Sequence, residues 1–80
     1  MIAIDTSVLV RYVVGSPPDQ ARAASTLIEA GEEIGISPVA LVECGHVLRT
    51  QYAVPQSQVI DALIAFVQRE NVRILGGRTD

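Results

Sequence analysis

Three short runs rich in β-branched residues, "IAI" at 2–4, "IGI" at 34–36 and "VRIL" at 72–75, are separated by gaps long enough to hold two helices each. Antiparallel neighbours can be joined by a tight turn, whereas parallel ones need a crossover of a dozen residues or more. Wide gaps between continuously apolar runs therefore imply parallel strands covered by helices. The order β-α-α-β-α-α-β predicts an α/β fold with a mainly parallel sheet.

The gaps carry their own punctuation. Thr6 or Ser7 can cap a first helix through Val14, with Gly15 as its stop. In "SPPDQARAASTLIEAG", Ser16 is the expected N-cap, Pro17 a first-turn proline and Gly31 the stop, with Ala21, Ala24, Leu27 and Ile28 as the apolar stripe. Ser37 and Pro38 repeat the start for "VALVECGHVLRTQY", which Val54–Pro55 ends. The fourth helix, "QSQVIDALIAFVQRE", places Val59, Ile60, Leu63, Phe66 and Val67 on one side, with Asn71 as its expected C-cap. The tail "GGRTD" trails off. Ile2, Ile4, Ile36, Ala40, Val47, Leu63 and Val67 are the expected core.

At 80 residues and 49% hydrophobic content the chain reads as a single domain. A net charge of −3, with every cation an arginine, argues against a mainly electrostatic grip on nucleic acid. One cysteine, Cys44, cannot form an internal disulfide, which suits a reducing compartment. The amino terminus has no charged segment before its apolar residues, and Asp5 interrupts them. A signal peptide and a membrane span are therefore not expected, and the reading is a cytoplasmic protein.

A carboxylate at the end of a buried strand asks for a partner. Parallel sheets place chemistry beyond the carboxyl ends of their strands, where Asp5 falls. On the third helix Ala40, Cys44, Val47 and Leu48 share the core face, and Glu43 lies at its edge beside His46 and Thr50. That helix starts after strand two, near the same end. Two carboxylates converging there repel each other unless a cation joins them, and oxygen-only ligation favours Mg²⁺ or Mn²⁺. The plainer alternative is that Asp5 caps the following helix and Glu43 is a solvated helix residue. His46, Arg11 and Arg49 read as surface residues, Cys44 as a small buried hydrophobe, and Glu29 with Glu32–Glu33 as an exposed acidic turn.

"IAIDTSVLVRYV", "ISPVALVECGHVLRTQY" and "VIDALIAFV…NVRIL" together resemble the PIN domain, nearest to the VapC-type ribonuclease toxins of bacterial toxin–antitoxin pairs. The resemblance runs to about Leu75. It implies a three-layer α/β/α fold, Mg²⁺- or Mn²⁺-dependent cleavage of RNA, a cognate antitoxin and a homodimer or other self-association. It implies Asp5 as metal ligand and catalytic acid, Glu43 as the second acid, and Thr6 as a supporting hydroxyl that orients Asp5. The family's pattern continues past a third strand into another helix, further acids and more strands, and "GGRTD" does not follow it. The expectation is therefore the amino-terminal portion of a PIN-like domain over residues 1–80, truncated after the third strand and short of the later acids.

Two functions follow from these residues: a metal-dependent endoribonuclease, or a catalytically inactive fragment that dimerises or binds antitoxin. An aspartyl-phosphate phosphatase is rejected, because it needs a second Asp two residues after the first, where this chain has Ser7.

Overall fold

The computed structural model of the chain describes residues 1–76; the expectations for the tail from residue 77 onward lie outside them. Three strands and four helices alternate as the sequence implies: β1 (Ile2–Ala3), α1 (Thr6–Val14), α2 (Pro18–Glu29), β2 (Ile34–Ile36), α3 (Pro38–Thr50), α4 (Gln56–Val67) and β3 (Val72–Ile74). The sheet is parallel throughout, in the order β1-β2-β3. Ile2 pairs with Ile34, and Ile34 with Val72. The fold is α/β with a parallel sheet, as expected, and β1 stands at one edge.

Side chains alternate across a strand, so this register sorts the sheet into two faces. Ile4, Ile34, Ile36 and Val72 belong to the buried cluster, together with Leu9 and Val10 of α1, Ile28 of α2, Ala40, Cys44 and Leu48 of α3, and Val59 and Phe66 of α4. The opposite face presents Ala3, Gly35 and Arg73. Gly35 is buried there under the ends of the Met1 and Leu75 side chains, and a Cβ on it would stand 2.7 Å from the Met1 sulfur.

Most of the punctuation acts as read. Gly15 ends α1 in the left-handed region at φ 77°, its N–H donating to the Arg11 carbonyl. The Ser37 hydroxyl accepts from the Ala40 N–H at 3.0 Å, with Pro38 in the first turn. Four expectations are corrected. The N-cap of α1 is Asp5, and Thr6 and Ser7, expected as its cap, lie inside the helix. The N-cap of α2 is Pro17 and not Ser16, since the extended backbone of Pro17 lets Pro18 open the helix. The fourth helix stops at Val67 with Gln68 as its cap, so Asn71 is not a C-cap. Of the expected core, Ile4, Ile36 and Ala40 are buried, but Ile2, Val47, Leu63 and Val67 are only half-buried around it. Leu9, Ile28, Leu48 and Phe66 take the central places.

Asn71 has a different task. Its side-chain amide donates to the Ile28 carbonyl at 2.8 Å and to the Glu32 carbonyl at 2.9 Å, while its Oδ1 accepts from Arg69 Nε at 3.3 Å. Its backbone carbonyl accepts from the Ile34 N–H. One residue thus satisfies an unpaired carbonyl in the last turn of α2 and ties the entries of β2 and β3 together. Replacing Asn71 with Ala should cost about 2 kcal/mol in urea unfolding, because two carbonyls lose their donors. Asn71→Asp should cost more, since a carboxylate would face both carbonyls. Leu48→Ala should cost about 3–5 kcal/mol and the half-buried Leu63→Ala less. Equal losses at the two leucines would contradict this packing.

Candidate metal centre at the carboxyl end of the sheet

Parallel pairing of β1 with β2 delivers two helix starts to one edge of the sheet. Asp5 follows β1 after one residue, Ile4, and Ser37 opens α3 directly after β2. Asp5 is the N-cap of α1: its Oδ1 accepts from the Val8 N–H at 3.1 Å and from the Ser7 hydroxyl at 2.9 Å. The cap reading and the site reading are therefore compatible. Both side-chain contacts fall on Oδ1, and Asp5 is exposed.

Glu43 lies on the second turn of α3, and its Oε1 accepts from the Thr6 hydroxyl at 2.9 Å across 37 residues of sequence. Thr6 is the residue after Asp5, so this bond brings the second acid to the end of β1. The hydroxyl on Asp5 is not the expected one. Thr6 holds Glu43, and Ser7, read in the sequence only as a possible helix cap, holds Asp5. The signal for Ser7 is its position as a short hydroxyl two residues after an N-cap Asp, where local side-chain bonds form readily.

The Asp5 carboxyl is held below its ordinary value. The Val8 N–H is the main cause and the Ser7 hydroxyl the next, against a smaller opposing effect of burial. Both bonds favour the charged form, as does the positive end of α1. A hard divalent cation takes oxygen ligands, and Mg²⁺ is commonly held by one or two carboxylates with water and substrate phosphate filling the rest. Asp5 and Glu43, each with one oxygen fixed by a hydroxyl, match that donor chemistry. Among the described residues no group of three or more His, Cys, Asp or Glu side chains is arranged to hold a metal.

The other polar residues stay outside this centre. His46 and Thr50 are exposed on α3, and the Thr50 hydroxyl bonds back to the His46 carbonyl. Cys44 is buried, and desolvation pushes its thiol up to about 11, which makes it a packing residue. A wide concavity of about 580 Å³ lies at the amino end of β2 and β3, lined by Glu33, Arg69, Asn71 and Arg73 among others. There Arg69 Nε donates to Asn71, and Arg73 pairs with Glu33 at 3.3 Å.

A depressed carboxyl has a pH signature. The folded value of Asp5 lies below the unfolded one, so its contribution is complete above the unfolded value and is lost as pH falls through the folded value. Asn is as good an N-cap as Asp but carries no charge. Asp5→Asn should therefore melt below wild type at pH 7, and the gap should close as the pH is lowered through the carboxylate range. A gap that stays constant with pH would show that the charge of Asp5 does not stabilise the fold.

The family model for the PIN domain matches residues 2–75. Comparisons with curated proteins and with solved structures give no match. The matched span takes in every strand and helix described above, and with them Asp5, Thr6 and Glu43. An acid at the end of the first strand, whose next residue bonds a second acid on the third helix, thus sits within a chain that belongs to the PIN domain family, which points to nuclease activity in general.

Proposed function

We propose that this chain supplies the Asp5–Glu43 pair of a metal-dependent endoribonuclease of the VapC toxin type, acting on RNA in the cytoplasm. The observation that carries the proposal is the Thr6–Glu43 bond, which unites two acids distant in sequence at the carboxyl end of β1. In this reading Asp5 and Glu43 hold Mg²⁺ or Mn²⁺. Such an ion, when bound, lowers the pKa of a water and neutralises charge developing on phosphorus. The protein's own part is to fix the two carboxylates. Ser7 and Val8 hold Asp5 charged on the N-terminus of α1, and the Thr6 hydroxyl holds Glu43.

A second reading, an interaction module that dimerises or binds an antitoxin without cutting RNA, has its own support. Among the described residues no group of three or more metal-ligating side chains forms, β1 has a strand partner on one side alone, and Ile60 and Ile64 stand 46% exposed one turn apart on α4. No helix among the described residues is long and apolar enough to cross a membrane.

Incubating the chain with RNA and Mg²⁺ or Mn²⁺, alongside sedimentation, separates the two. The nuclease reading expects cleavage abolished by EDTA. Asp5→Asn and Glu43→Gln should each lose more than the ~10–100-fold typical of a residue that only supports a metal ligand. Wild-type chain that sediments as a dimer and leaves RNA intact with either ion would overturn that reading in favour of the module.

A further inference from the structure

The triplet Asp5-Thr6-Ser7 holds two hydroxyls, and they serve different acids. Thr6 reaches across to Glu43, whereas Ser7 turns back 2.9 Å onto Oδ1 of Asp5, the same oxygen that takes the Val8 N–H at 3.1 Å. A carboxylate held by a single donor can still swing about its last side-chain bond, where the torsional preference is broad. Two donors on one oxygen fix the plane of the group and keep the other oxygen turned out.

We infer that Ser7 is a positioning residue for the metal centre: by sharing Oδ1 with the cap of α1, it presents Oδ2 of Asp5 to a divalent cation. This inference rests on the metal-site reading given above and adds to it a residue that touches neither metal nor substrate. The cap itself does not depend on Ser7, because the Val8 N–H bond remains when the hydroxyl is removed. Fold and metal affinity are therefore separable at this position. A hydroxyl is what the role requires, so threonine should replace serine and alanine should not.

The test is Mn²⁺ affinity, read from the free-ion signal in electron paramagnetic resonance, with thermal unfolding followed by circular dichroism on the same samples. Ser7→Ala should weaken Mn²⁺ binding by about tenfold, at the low end for residues that orient a metal ligand because the Val8 contact persists. Its melting should remain near wild type, and Ser7→Thr should restore the affinity. If Ser7→Ala proves unfolded, Ser7→Cys carries the test, being close in shape and a much weaker donor. Wild-type binding matched by the variant without the hydroxyl would overturn the role of Ser7 and leave the metal-site reading standing. Wild-type chain that binds no Mn²⁺ would overturn that reading and this inference with it.

Discussion

The parallel pairing of β1 with β2 is the constraint on which the site depends. Because Ile2 lies beside Ile34 and Ala3 beside Gly35, both strands point the same way and end at the same edge. The chain leaves β1 through Asp5 and leaves β2 through Ser37, and each of those residues caps the helix that follows. Two helix N-termini are thereby set side by side, and α1 packs against α3. Reversing one strand would send α3 from the far end of the sheet and take Glu43 out of reach of Thr6.

Asp5 joins folding to chemistry. One oxygen closes the first turn of α1, so in the proposed site the bond that starts the helix also orients the ligand. Concentrating negative charge at a strand end is unfavourable in itself. Here the cost is offset locally by an N–H and a hydroxyl on Asp5 and by the Thr6 hydroxyl on Glu43. The arrangement stays near the surface, where solvent screens the acids and a cation can enter. The hydrophobic cluster beneath it, with Leu9, Ile28, Ile34, Ile36 and Leu48 fully buried, supplies the rigid floor.

Elements whose signal is local were legible in the sequence. Gly15, Ser37 and Pro38 state their positions through backbone preference alone, and three apolar runs separated by long gaps leave few alternatives to a parallel sheet. The PIN resemblance, on "IAIDTSVLVRYV" above all, is upheld by the family match. What failed to show was non-local. Asn71 follows a helix, so it read as a cap, but its amide is spent on Ile28 and Glu32, distant in sequence. Val47 and Leu63 share the apolar side of their helices with truly buried residues, and periodicity cannot rank positions within a stripe. Ile60 was grouped with Val59 and Phe66, yet the helix turns it to solvent. Thr6 and Ser7 are adjacent and chemically alike, so only the direction of each side chain could assign them to different acids.

The site pair itself was inferred from the strand end and the helix edge and then from resemblance, and the Thr6 bond gives that inference a physical link. The central claim is that Asp5 and Glu43 act as one cation site. Amide NMR during a Mn²⁺ titration tests it most directly, because the paramagnetic ion broadens signals nearest its position first. The account predicts that the earliest losses fall together on Asp5–Ser7 and on the turn of α3 around Glu43, and that Glu43→Gln delays both. Broadening that begins at Glu32 and Glu33, or that spreads over the surface acids with no preference for the end of β1, would contradict it.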